Sequence, residues 1–192
     1  DFLLEAYVGR EADPYDLVPT SSAITALAVG DALAVALMRA RGFKAEDFAR
    51  FHPGGQLGRS LLLRVADVMH PIGAVAIASP ETPIRDVLVR MTERPLGACC
   101  VVDEKNYLTG IITDGDIRRL VQKTENLRGI RACDVCHSAP RTIAAQCKLG
   151  AAIAAMESGP RQVSVLPVVD GDGLLLGLIR LHDTSFGKKF QP

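Results

Sequence analysis

The chain has 192 residues, with 22 Lys+Arg against 22 Asp+Glu, 48% apolar residues and no Trp. That is the profile of a globular protein of one or two domains, and it excludes disorder, a collagen-like repeat and a polybasic nucleic-acid arm. The zero net charge sums unlike parts: residues 1–58 carry 5 basic and 8 acidic side chains, residues 59–192 carry 17 and 14. Neither excess points to DNA or an anionic membrane as partner, while a mildly basic second part suits a small anionic ligand. The first residues, Asp1-Phe2-Leu3-Leu4-Glu5, have no initiator Met, basic region or cleavage site and read as a cut end.

In chain order, Pro19-Thr20-Ser21-Ser22 precedes an apolar stretch from Ala23 to Met38 that closes on Arg39-Ala40-Arg41-Gly42. This predicts a buried helix with a hydroxyl N-cap, a basic last turn and Gly at C′. Thr25, Gly30 and Asp31 interrupt the stretch, so it is expected to fall short of a membrane span. A short helix over about 45–51 must stop at His52, because Pro53 follows. The segment His52-Pro53-Gly54-Gly55-Gln56-Leu57-Gly58-Arg59 is a glycine-rich loop presenting a histidine at a helix end, a placement that suits proton transfer.

From residue 59 the chain repeats itself. Asp67-Val68-Met69-His70 returns as Asp134-Val135-Cys136-His137, Val101-Val102-Asp103 as Val168-Val169-Asp170, and Gly110 to Asp116 as Gly177 to Asp183, always 67 residues on. Each copy reads as a leader, an amphipathic helix (about 84–93 and 149–158), two apolar strands (98–102 and 109–112; 164–169 and 175–179) and a second helix starting near Asp116 or Asp183. Polar turns at 103–106 and 170–173 join the strands. Each copy is βαββα-like and too small to bury a core alone.

This pattern resembles the cystathionine-β-synthase (CBS) domain, which occurs as a tandem pair. The resemblance covers residues 59–192, with copies at 59–128 and 129–192, and rests chiefly on the Gly-hydrophobic-hydrophobic-Thr-x-x-Asp segment. It implies that Thr113 and Asp116 hold the phosphate and ribose of a nucleotide at a helix N-terminus. The second copy keeps Asp183 but has Arg180 in place of Thr, so its site is either lost or changed to a different phosphate contact. The plainer reading of Asp116 and Asp183 is that they are helix N-caps.

Residues 1–58, with Gly9-Arg10-Glu11-Ala12, Pro-Thr-Ser-Ser, Gly30-Asp31-Ala32-Leu33-Ala34 and His-Pro-Gly-Gly-x-Leu-Gly-Arg, resemble the end of the sugar isomerase (SIS) domain of KpsF/GutQ-type arabinose-5-phosphate isomerases. Those enzymes carry a CBS pair immediately afterwards. The fold class implied is α/β: an α+β CBS pair preceded by a helical remnant of a doubly wound SIS domain. The implied reaction interconverts D-ribulose 5-phosphate and D-arabinose 5-phosphate on the way to the lipopolysaccharide sugar Kdo. Glu11 and His52 match the positions implicated in proton transfer, ring opening or oxygen protonation. No Ser-rich phosphate cradle occurs in residues 1–58, so the chain by itself is expected to be inactive.

The partners implied are a sugar phosphate for the whole enzyme, a nucleotide or nucleotide sugar (CMP-Kdo or an adenine nucleotide) at the pair, and a second copy in a homo-oligomer. The alternative is a pair that builds the oligomer and binds nothing. No cofactor is implied. Cys133-x-x-Cys136-His137 matches a haem-attachment signature, but it falls on the repeated leader, whose first copy has neither Cys; zinc on Cys133, Cys136, His137 and Cys147 is possible by ligand count, but the CBS resemblance already accounts for the segment. His182 is expected to be exposed beside Asp183. Five Cys, two of them adjacent, favour reduced thiols and a cytoplasmic location.

Overall fold

The computed structural model describes residues 2–51, 55–159 and 161–185, which fall into two compact units, Asp1–Phe48 and Ala49–Pro192. The first is dominated by helix α1, Ser21–Ala40. Its end follows the sequence reading: Gly42 takes φ +61°, and the Phe43 and Gly42 amides return to the carbonyls of Met38 and Arg39. That closure is a Schellman motif, which only a residue tolerant of left-handed backbone completes cheaply. Two expectations are corrected here. No residue of α1 is buried; Ser21, Ser22, Thr25 and Val29 are half-buried and the rest exposed. Gly30 and Asp31 also do not interrupt the helix, which at 20 residues and mean hydropathy 1.7 is long and apolar enough to cross a membrane. Helix α2, Ala45–Phe51, has the bounds expected.

The second unit opens with α3, Gln56–Leu62, and α4, Val65–Val68. The first repeat continues through β1 (His70–Pro71), β2 (Ala76–Ala78), α5 (Ile84–Glu93), β3 (Ala98–Val102), β4 (Leu108–Thr113) and α6 (Asp114–Lys123). The second follows with α7 (Ala132–Val135), β5 (Ile143–Ala144), α8 (Leu149–Glu157), β6 (Val165–Val169), β7 (Leu175–Arg180) and α9 (Leu181–Ser185). The repeat persists down to single hydrogen bonds. Asp67 accepts from the Arg64 amide and Asp134 from the Arg131 amide, each at 2.8 Å. In the hairpins, Asp103 accepts from the Lys105 and Tyr107 amides, and Asp170 from those of Asp172 and Leu174.

The two sheets run β2-β3-β4 and β1-β7-β6-β5. Hence β1, from the first repeat, is an edge strand on the second repeat's sheet, with His70 opposite Leu178 and Pro71 opposite Gly177. The exchange is reciprocal, for His137 of the second repeat bridges Ile111 of β4. The glycines repeated at 110 and 177 sit under these crossings. A Cβ on Gly110 would come within 2.9 Å of Cys136 Sγ and 3.0 Å of the His137 carbonyl, and one on Gly177 would overlap the His70 carbonyl oxygen. Glycine is required there because another backbone passes where a side chain would stand.

Alternation along β3 sends Ala98, Cys100 and Val102 into one core with Ile111, Val165, Leu175 and Leu178 of both sheets. Cys99 and Val101 point the other way, under Ile84, Val87 and Met91 of α5. Leu166, Val168 and Ile179 likewise meet Leu149, Ala152 and Met156 of α8. Strands buried on both faces read as unbroken apolar runs, which is why their sequence lacks a polar stripe.

Candidate functional site

Thr113 ends β4 and acts as the N-cap of α6. Its amide and hydroxyl both donate to Asp116 Oδ2, at 2.8 and 2.6 Å. Asp116 is therefore the third residue of the helix reaching back to the cap, not the cap itself as the plainer sequence reading had it. Its other oxygen is taken by the Arg119 guanidinium and by His137 Nε2 at 3.0 Å. Only 5% of this side chain is exposed. Burial works against the ionised carboxyl, yet the Thr113, Arg119 and His137 contacts outweigh it and hold Asp116 below its ordinary range.

In the second repeat Arg180 grips Asp183 with both ends of its guanidinium, Nε to Oδ2 at 2.8 Å and Nη2 to Oδ1 at 2.7 Å. His70 Nε2 lies 2.8 Å from the same Oδ2. Here too burial opposes the carboxylate and the Arg180 and His70 bonds prevail, lowering the Asp183 pKa. Each aspartate is thus met by the histidine of the other repeat's leader, His70 and His137 being 67 residues apart. Those two histidines carry the crossing, and their place in the repeated Asp-Val-x-His leader is the sequence signal for them.

Between the two turns lies a cleft of about 880 Å3 whose walls include Thr113, Gly115, His137, Arg180 and the exposed His182. Arg118, Arg119, Arg141 and Arg161 also line it, and Asp114 is the one acidic lining residue among those described. Arg141 donates to the carbonyls of Ala155 and Ser158 at the end of α8. Of the four residues expected to hold a ligand, Thr113 and Arg180 face this cleft directly. Asp116 and Asp183 stand behind them, their oxygens already occupied. Five arginines and one carboxylate make the cleft an anion site by charge.

Glu11 has a different setting. Its Oε2 accepts from the Thr20 amide (2.8 Å), the Thr20 hydroxyl (3.0 Å) and the Ser22 amide (3.2 Å), so this carboxylate satisfies the free N–H groups at the start of α1. Hydrogen bonding from Ser22 and Thr20 holds its pKa down to about 2. His52 lies outside the described residues. Among the described residues no cluster of three His, Cys, Asp or Glu is gathered for a metal ion.

All five thiols are free. Burial pushes Cys99 and Cys100 up to about 12, whereas Cys133 is exposed. Titration of the native protein with a thiol-exchange reagent is expected to modify Cys133 readily and to leave Cys99 and Cys100 silent until denaturant is added. Rapid native labelling of either, located by peptide mapping, would contradict the core assignment.

A tandem of βαββα repeats that trade leaders across two sheets defines the class of protein, and the chain belongs to the CBS domain family, whose model matches residues 65–123 and 132–184. The particular proteins it resembles over nearly its whole length are isomerases. It is 43% identical over 180 residues to the arabinose 5-phosphate isomerase KdsD of Pseudomonas aeruginosa, which covers 94% of this chain and 55% of that protein. The chain therefore spans about half the length of the curated relatives it matches. Among solved structures it is similar to CBSX2, a CBS-pair protein from Arabidopsis thaliana, in complex with AMP: 25% identity, TM-score 0.53, 63% of this chain and 92% of that one. The CBS domain protein PAE2072 from Pyrobaculum aerophilum complexed with AMP shares the fold at 19% identity, with TM-score 0.58 over 66% of this chain and 93% of the other.

Proposed function

We propose that residues 59–192 are the regulatory CBS pair, and residues 1–58 the closing segment of the sugar isomerase domain, of a cytoplasmic arabinose-5-phosphate isomerase. The observation that carries the regulatory half is the arginine-lined cleft of about 880 Å3 with the helix turn of Thr113 at its wall. Its charge suits a phosphorylated ligand, and the AMP bound by CBSX2 supports a nucleotide. A nucleotide sugar such as CMP-Kdo fits the same chemistry and would give feedback on the route to Kdo.

For the isomerase half, the similarity to KdsD supports conversion of D-ribulose 5-phosphate to D-arabinose 5-phosphate by the whole enzyme. Glu11 and His52 are the residues proposed to move protons in the whole enzyme. In this chain the Glu11 carboxylate, held down to about 2 by its Ser22 and Thr20 bonds, also fixes the start of α1. The chain alone is expected to turn over no ribulose 5-phosphate in a coupled assay, and measurable turnover would refute that expectation.

One observation favours the rival reading of a structural oligomerisation module: all four oxygens of Asp116 and Asp183 are engaged by the protein's own side chains. Thermal unfolding with AMP, ATP, CMP and CMP-Kdo decides between the two. A ligand at 100 times its Kd is expected to add about 2.7 kcal/mol. No shift with any of the four would favour the structural module.

A further inference from the structure

Both repeats neutralise the aspartate of their second helix, but with arginines drawn from different elements. Positions 113 and 119 hold Thr and Arg; their equivalents 180 and 186 hold Arg and Phe. Arg119 accordingly reaches Asp116 from within α6, whereas Arg180 reaches Asp183 from the end of β7, and both line the cleft. Asp183 Oδ2 is a branch point shared by Arg180 Nε and His70 Nε2, each at 2.8 Å. His70 begins β1, the end of the leader that runs out of α3 through α4. The corresponding contact in the first repeat, His137 with Asp116, leads only into the leader between the repeats.

Resting on the reading of the cleft as an anion site, we infer that Arg180 senses the ligand's anionic group and that His70 passes its state to the first leader. An anion that draws the guanidinium toward the cleft removes a competing donor from Oδ2 and a positive charge from beside His70. The oxygen then serves His70 alone, and a charge-assisted bond to a less compensated carboxylate is stronger. Ligand binding thereby tightens β1 on β7 and steadies residues 64–69, whose Val65 and Ala66 amides bond to the carbonyls of Cys147 and Ala145. Arg119 and His137 share Asp116 Oδ1 in the same way, so what sets the second repeat apart is that its histidine belongs to the leader nearest α3.

Hydrogen–deuterium exchange on the full chain, with binding followed by calorimetry, tests this using AMP, inorganic phosphate and adenosine as probes. Saturating AMP or phosphate is expected to slow exchange over residues 64–71 several-fold, and adenosine to leave it unchanged. Arg180→Thr is expected to abolish the response, through lost affinity or through a bound ligand that no longer reaches the leader. Arg180→Lys, which keeps the charge without the two-pronged grip, covers the case in which threonine unfolds the turn, and is expected to respond weakly. AMP bound with leader exchange unchanged, an equal response to adenosine, or an undiminished response in both variants overturns the inference and leaves the cleft reading standing. Failure of both AMP and phosphate to bind overturns the two together.

Discussion

Gly177→Ala is expected to cost about 3 kcal/mol, at the upper end of what overpacking a close contact does. The atom in the way is the His70 carbonyl oxygen, part of the β1–β7 pairing. A backbone oxygen cannot swing aside as a side chain can, so the added methyl displaces β1 and strains the Asp183–His70 contact with it. Gly110→Ala meets the end of Cys136 as well as the His137 carbonyl and is expected to cost less. Gly171→Ala, with nothing within 4 Å, should change stability by less than about 0.5 kcal/mol. Denaturant unfolding of the three variants checks the order; equal, small losses at 177 and 171 would show that the leader is not held against β7.

Asp116→Ala is expected to cost about 2 kcal/mol near neutrality, because it removes the acceptor of the Thr113 amide and hydroxyl at the start of α6, while the half-exposed Arg119 and His137 turn to water. The loss should depend on pH with a definite sign. A carboxyl whose folded pKa is depressed contributes fully above its unfolded value, about 3.9, and loses that contribution as pH falls through the lower folded value. Wild type and variant are therefore expected to differ by a constant amount at pH 6–7 and to converge below about pH 4. Unfolding curves that stay parallel into acid would mean that the Asp116 charge carries none of the effect.

The helices and strands of the pair were legible because local pattern and the 67-residue offset agreed. α5 falls at Ile84–Glu93 and β3 at Ala98–Val102, as their periodicity and apolar runs indicate. The strand-to-helix turns were legible as places but not as contacts. Thr-x-x-Asp before a helix is also the pattern of a residue reaching back to its cap, and reading it so would have put Asp116 at the third helical position. What sequence could not display was the crossing, since His70 and Asp183 are 113 residues apart in the chain and no local periodicity encodes such a meeting. Its traces were the histidine repeated in each leader and a glycine at the same place in each strand, 110 and 177. Apolarity misled at α1, where a stretch fit for a core has no buried residue. Composition reports what a helix would bury against, not whether that partner lies within these residues.

The exchange of leaders also bears on how stability scales. Swapping an edge strand between two separate copies would make the fold depend on protein concentration, with a midpoint that drops on dilution. Because the second repeat follows the first at a distance of a few residues, Thr124 to Arg131, the partner arrives at an effective concentration set by that short tether. Assembly of the two halves becomes a unimolecular step. The cleft that forms where they meet is then present in every folded molecule, however dilute.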